Sequence, residues 1–371
     1  MKTNFVKLRW LFTMLLFVTT MIMPTMMLAK SIDLKIPEGD GAGTPYKIGT
    51  AEELYWFAGL VNGTLPGVKK DLSANAILTD DIIVNTGVLD PNKDLVSGND
   101  FIEWIPIGKS SSDDDAYTGT FDGNGHTISG LYFNKSNSWY VGLFGCIGAE
   151  GKISNVGVSD SYFQSSNCPY IGGVCGSNSG ELQNCSNSST VIGKENEYRI
   201  GGVCGDNSGT IKSCYNTASV SGQYSVGGVS GSLGSDVTNC YYLSGTVADG
   251  KGGIGGKDDE NGKAVEMSKD RFKSGEVAWL LNGSKSVSTE ESTLAWYQKL
   301  DENADAYTVL KSTDHNTVYK APLFSCDGTT RIGEYANKPE GDKLSHNYQM
   351  AEKTDEGTSN LYSEECAICH N

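Results

Sequence analysis

The sequence predicts a mainly β protein: a parallel β-solenoid (β-helix) with a helical cap before it and a small α+β cap after it. Three observations carry that expectation. One unit recurs four times, as "YVGLFGCIGAEGKISNVGV" from Tyr140, "YIGGVCGSNSGELQNCSNSSTV" from Tyr170, "RIGGVCGDNSGTIKSCYNTASV" from Arg199 and "SVGGVSGSLGSDVTNCYYLSGTV" from Ser225. Glycines 145, 176, 205 and 231 align, at steps of 31, 29 and 26 residues, which is the period of a stacked repeat. Within each unit the apolar pieces are too short for a helix and are bounded by Gly, Asn and Ser, so each reads as a short strand. Composition agrees: glycine is 46 and proline 9 of 371 residues, where about 7% and 5% are usual. Glycine here supplies turns.

Taken in order, residues 1–29 place Lys2, Lys7 and Arg9 before the apolar run Trp10–Met23, then Pro24 and a small-residue end at Ala29. That pattern is a cleavable secretory signal, too short to span a bilayer comfortably. Residues 30–73 hold "TAEELYWFAGLVNG", with Leu54, Phe57, Ala58 and Val61 at helical spacing, Thr50 and Glu53 as a capping box and Asn62-Gly63 as the stop. The helix is expected to cover the open first coil, whose backbone groups would otherwise pair with other chains. Residues 74–248 form the solenoid, with the regular repeats over about 140–248. Ile153, Leu182, Ile211 and Val237 should stack inside it, with Asn178, Asn184, Asn187, Asn207 and Asn216 at its corners forming turns and side-chain ladders. Residues 249–325 are a linker and a C-terminal cap, in which Ser268 starts a helical segment burying Phe272, Val277, Leu280 and Leu281, with strands after it. Residues 326–371 read as a loosely ordered tail containing Cys and His.

The motifs "GLFG", "GGVCG", "GGVCG" and "GGVSG", each leading into an apolar step of three, resemble the GLUG-motif repeat family of secreted bacterial proteins. "PYKIGTAEELYWFAGLVN", "WIPIG" and "GTFDGNGHTISGL" resemble segments that precede such repeats, and "FKSGEVAWLLNG" with "WYQKL" resembles segments downstream of them. The likeness spans residues 45–325, with Val174, Val203 and Val229 where the first copy has Leu143. It implies a cell-surface or extracellular adhesion-type protein. It implies no catalytic residue.

With 29 Lys and Arg against 45 Asp and Glu, the net charge is −16, which argues against nucleic acid as a partner, since phosphate binding rests on Lys and Arg. Cys185, Cys214 and Cys240 share one position of successive units, and Cys175 and Cys204 another. Buried free thiols, disulfides and a metal site are all open there. In the tail, Cys366, Cys369, His346 and His370 hold a C-x-x-C with nearby histidines, a zinc candidate lacking the second C-x-x-C that would make it specific. The alternatives for that tail are a disulfide or no chemistry at all. Asp113, Asp114 and Asp115 read as a solvated acidic loop or a Ca²⁺ attractor, and His126 and His315 stand alone. "HExxH", "GxSxG" and P-loop motifs are absent from the sequence.

The expected function is therefore a secreted or cell-surface binding protein without catalysis or cofactor, presenting its solenoid to a glycan or a surface protein, with no membrane span after signal cleavage. The alternatives are a carbohydrate-active β-helix enzyme and a purely structural stalk. The enzyme needs paired acids across a groove. The dense acidic spots near the repeats are Asp80-Asp81 and Asp113–Asp115, where neighbours on a strand point to opposite faces.

Overall fold

The computed structural model describes residues 30, 32–97, 100–112, 114–167, 170–194, 199–232, 236–248, 251–255, 263–283, 294–299 and 304–310, with the backbone of 322–324 and 331–334. The signal segment, Asp113, His315 and all four zinc candidates, Cys366, Cys369, His346 and His370, lie outside the described residues.

The chain is a parallel β-solenoid. Each coil contributes one short strand to each face, and strands of successive coils pair in parallel register. A seven-stranded sheet runs through Tyr46–Ile48, Ala76–Leu78, Thr120–Asp122, Lys152–Ser154, Glu181–Gln183, Thr210–Lys212 and Asp236–Thr238. A nine-stranded sheet has its longest members at Gly157–Ser166 and Ser186–Lys194 and ends at Ala264–Met267. A four-stranded sheet (Tyr140–Val141, Tyr170–Gly172, Arg199–Gly201, Ser225–Gly227) and a three-stranded one (Phe144–Ile147, Cys175–Asn178, Cys204–Asn207) complete the cross-section.

Side chains alternate across a strand, so one residue of each three-residue strand points inward in every coil. The inward column of the seven-stranded sheet is Phe121, Ile153, Leu182, Ile211 and Val237, paired in that order and fully buried. Val141, Ile171, Ile200 and Val226 form a second buried column. Residues far apart in sequence thus sit about one strand spacing apart, roughly 4.8 Å.

The corners carry amides. Asn178 Nδ2 donates to Asn207 Oδ1 at 2.7 Å and Asn187 Nδ2 to Asn216 Oδ1 at 2.9 Å, all four residues being buried. The Asn187 amide also holds its own turn: its Oδ1 accepts from Ser189 N and its Nδ2 donates to Ser189 O. Room for this second ladder comes from glycine. A Cβ at Gly173 would lie 2.2 Å from the Asn187 amide, and one at Gly202 2.3 Å from that of Asn216. A third, outer corner is left-handed at Asn155, Asn184, Ser213 and Asn239, with φ between 52° and 53°, a region that Asn tolerates better than most residues. There Asn184 Nδ2 donates to Asn155 Oδ1 and Asn155 Nδ2 to Asp122 Oδ1.

Helix α1, Ala51–Asn62, begins and ends where its caps place it. Thr50 accepts from Glu53 N, and Gly63 is left-handed with φ 64°. Glu53 itself accepts from Gly49 N and pairs with Lys35 at 2.6 Å. Leu54, Phe57, Ala58 and Val61 are buried as expected, with the Phe57 ring centroid 6.1 Å from those of Tyr117 and Phe121 in the first coils. Tyr55, Trp56 and Leu60 are buried too. Two covers act here: the Tyr46 ring stands edge-on to Trp56 at 5.3 Å, and a loop crosses the helix where Tyr55 donates to Glu103 O and packs edge-on to Trp104 and Asn62 bonds both Pro106 O and Gly108 N. The strand Tyr46–Ile48 pairs with Ala76–Leu78, so the sheet begins before the helix and α1 is an insertion in the first coil.

In the C-terminal cap the helical segment splits into α2, Lys269–Lys273, and α3, Glu276–Leu281, because Gly275 is left-handed with φ 80°. Phe272, Val277 and Leu281 are buried, whereas Leu280 is half-exposed and Ala278 is buried instead. Glu276, fully buried, is paired with Arg271. An antiparallel pair, Trp296–Tyr297 with Val309–Leu310, closes the cap, and Pro322–Phe324 pairs with Arg331–Glu334.

Two stability measurements test this packing. Ile211→Asp places an uncompensated carboxylate in the inward column and should cost several kcal/mol, about 3 or more, in urea unfolding; an unchanged midpoint would remove Ile211 from the interior. Ser213→Asn supplies the residue that the left-handed corner favours and a further amide between Asn184 and Asn239. It should raise the melting temperature, by an amount equivalent to about 0.5–1 kcal/mol.

Candidate binding groove

The outward residues of the nine-stranded sheet also repeat. Thr127, Gly157, Ser186 and Tyr215 form one register column, and Ser129, Ser159 and Ser188 the column two residues along. Val158 between them points inward and is buried. The floor is thus a grid of hydroxyls, and at Gly157 the side chains of Thr127 and Ser186 close in, an added Cβ lying 3.0 and 3.2 Å from their oxygens.

One wall is the C-terminal cap. The Tyr215 ring lies 5.7 Å from Phe272 and 5.2 Å from Trp296, and its hydroxyl donates to Thr308 O at 2.5 Å. Lys299 N donates to Asp305 Oδ2 and Asp305 N to Lys299 O, which pinches the chain into a turn at the rim. At the other end Asp81 accepts from Thr127 N at 2.7 Å, and its carboxylate lies 3.5 Å from His126 Nδ1. Between floor and wall is a cavity of about 440 Å³. A second, of about 260 Å³, shares Gly125 and Leu310 with it and extends over the amides of Asn124, Asn155 and Asn184. The two make one groove running from the hydroxyl grid onto the left-handed corner. Further along the same face, the insertion before the third coil also docks: Lys93 pairs with Asp160 at 2.7 Å and its carbonyl accepts from Thr190 Oγ1.

Of the other residues that the sequence singles out, Asp81 and His126 meet at the groove. Asp80 is engaged elsewhere, accepting from Thr79 Oγ1. Asp115 is held by Lys70 at 2.6 Å, which keeps its carboxyl below the usual range, and Lys70 also donates to Asp114 O. The acidic loop is tied down there by a lysine. Cys146, Cys175, Cys185, Cys204, Cys214 and Cys240 are free and buried. Burial pushes the Cys175, Cys214 and Cys240 thiols well up. Cys185, Cys214 and Cys240 donate to the carbonyls of Gln183, Lys212 and Thr238, two residues back in each case. These stacked thiols are packing groups. Among the described residues no cluster of three His, Cys, Asp or Glu side chains is placed to hold a metal, and no helix is long and apolar enough to cross a membrane.

Fold and groove together define a class, a parallel β-solenoid with a polar cleft walled by its C-terminal cap. Comparison with known proteins adds partial likenesses. No family model matches the chain. It is 38% identical over 84 residues to Halomucin of Haloquadratum walsbyi, covering 23% of this chain and 1% of that protein. It is 33% identical over 78 residues to a "Putative Gly-rich membrane protein" of Evansella cellulosilytica, covering 21% and 9%. The chain thus matches only a small share of either relative's length. Among solved structures, it is similar to a "putative immunoglobulin A1 protease" from Bacteroides ovatus at a TM-score of 0.35 and 16% identity, covering 74% of this chain and 98% of that one.

Tyr215 is one joint between wall and floor, alongside Tyr241 in the same cluster and the bond from Asn239 Nδ2 to Leu281 O. Tyr215→Phe keeps the ring packing and removes the bond to Thr308 O, a loss of about 1 kcal/mol. Amide hydrogen exchange should accelerate at 308–310 and stay unchanged at Ile211; equal protection in both proteins would show that the bond does not hold the wall.

Proposed function

We propose that this protein is a non-catalytic binding protein of the cell surface or extracellular space, built from GLUG-type repeats, that holds a glycan chain in the groove. The observation that carries this is the floor. Hydroxyls of Thr127, Ser159, Ser186 and Ser188 and amides of Asn155 and Asn184 repeat along the groove, offering alternating donors and acceptors of the kind that hydroxyl-rich chains satisfy. Tyr215, buried between floor and cap, fixes the wall beside these groups. Affinity from such a site is spread over many weak bonds. The acids at the groove favour binding over hydrolysis. Asp81 and Asp305 are both engaged by backbone N–H groups, of Thr127 and Lys299, which is structural work, whereas a hydrolase needs one carboxyl poised to donate a proton and another to attack or activate water. Export agrees with the signal-like residues 1–29 and with an acidic, glycine-rich chain.

The test is a glycan array on the full chain, then titration of the best ligand against Ser188→Trp, which fills the floor from an outward position and should leave the fold intact. Binding is expected to fall by about tenfold or more, and the bound glycan should be recovered uncut. Equal binding by the variant would displace the ligand from this groove. Turnover abolished by Asp81→Asn or Asp305→Asn would make the protein an enzyme.

A further inference from the structure

A second hollow lies on a different part of the surface, beside the four-stranded sheet. Its opening is flanked by Trp139, whose exposure of 63% is the highest of any described tryptophan, and by Ile105, at 49%. Its floor includes the buried rings of Trp104 and Phe133, and its volume is about 250 Å³. Lys109 and Lys135 line it as well. The hollow also adjoins Tyr140, the first rung of an outward stack in which the Tyr140 and Tyr170 rings are 5.3 Å apart and Arg199 sits 5.5 Å from the centre of the Tyr170 ring. Tyr140 belongs to the edge strand of its sheet, so the hollow is at the open end of that column.

An indole exposed to this degree, next to a second exposed apolar side chain, needs a reason in a chain this polar. The charge around it is equally unusual. In a protein of net charge −16, two lysines line one small hollow. Lys135 is paired with Glu103 at 2.8 Å and Lys109 donates to Asn62 O at 2.6 Å, and these bonds fix where the two stems run. Each ammonium has three donors, so each keeps donors for a ligand; Lys109, bonded to a neutral carbonyl, keeps its charge uncompensated, whereas Lys135 shares its charge with Glu103. An aromatic surface beside two cations, with a volume suited to one ring, selects a ligand having an apolar ring face and a carboxylate.

We propose that this hollow binds a carboxylated pyranose, the uronic-acid class of sugar residue, with the ring against Trp139 and the carboxylate between Lys109 and Lys135. The site is separate from the groove and does not depend on the groove's ligand. An acidic terminal residue on a surface glycan is the natural source of such a group, and attraction to the two lysines would weaken with salt.

The experiment is titration calorimetry of the full chain with disaccharides ending in glucuronate or galacturonate, beside their neutral glucose and galactose counterparts. The wild type should prefer the acidic member of each pair. Trp139→Ala, an exposed position whose loss should leave the melting temperature unchanged, should weaken both members by about tenfold. Lys135→Met, which keeps the stem, should remove about threefold to fivefold of affinity for the acidic sugar alone. Ser188→Trp should leave all of these values unchanged, which separates this site from the groove. Absence of binding by the wild type, equal affinity for acidic and neutral sugars, or wild-type binding by Trp139→Ala would each overturn the proposal.

Discussion

Everything in this molecule depends on stacking one coil on the next in register at the spacing of a single strand. At that spacing each side chain meets its equivalent in the next coil, so a residue is admitted only if it can pack against that neighbour. Aliphatic residues and thiols pass that condition by shape. Amides pass it by donating upward and accepting from below, as Asn178–Asn207 and Asn187–Asn216 do. Charges fail it inside, since a like-charged column would be buried with no counter-ion. The condition also couples positions across the coil. Gly173 and Gly202 face the buried amides of Asn187 and Asn216, and Gly228 faces the ring of Tyr242, the next member of that column. In the first regular unit Val158 occupies the Asn187 position. There the segment opposite is one residue shorter: Leu143 alone stands between Gly142 and Phe144, where Gly173 and Val174 stand between Gly172 and Cys175. The extra glycine and the buried asparagine therefore arrive together.

A stack held by self-complementarity has no internal reason to stop, and its ends must be made from something that does not repeat. At the start this is α1, with Phe57 against Tyr117 and Phe121. At the other end the outward column of Tyr215 and Tyr241 enters a second cluster with Met267, Phe272, Val277 and Trp296. Tyr215 belongs to both systems, as the rung after Ser186 on the face and as an aromatic member of the cap. The same side chain that ends the hydroxyl column anchors the groove wall.

How much of this was legible in the sequence depends on the range of the interaction. The inward column Ile153, Leu182, Ile211 and Val237 and the corner asparagines were readable because the repeat writes each contact several times. The caps of α1 were readable because Thr50, Glu53 and Gly63 act within one turn of the helix ends. The strand Tyr46–Ile48 was not, since three residues beside a strong helix signal carry no period of their own. Nor was the break at Gly275, where a left-handed glycine divides what reads as one helical run. The groove was the least legible feature. Its floor showed only as alternating Ser and Thr, and its wall depends on a bond between Tyr215 and Thr308, 93 residues apart, joining a repeating segment to one that does not repeat.

In the binding role proposed above, that division between repeating and non-repeating parts also separates two tasks. A floor built from coils offers the same groups at every rung, so by itself it fixes the direction and period of a bound chain but not its position. Position must come from groups that occur once. In the groove these are Lys299 and Asp305 at the wall and Asp81 with His126 at the opposite end. Loop length adds nothing to the cost of that arrangement beyond a slowly growing closure entropy, so the cap and the insertion before the third coil can change without disturbing the stack. Under the proposed binding role, selectivity accordingly resides in the segments with no repeat, and the repeats supply the rigid ruler against which those segments are set.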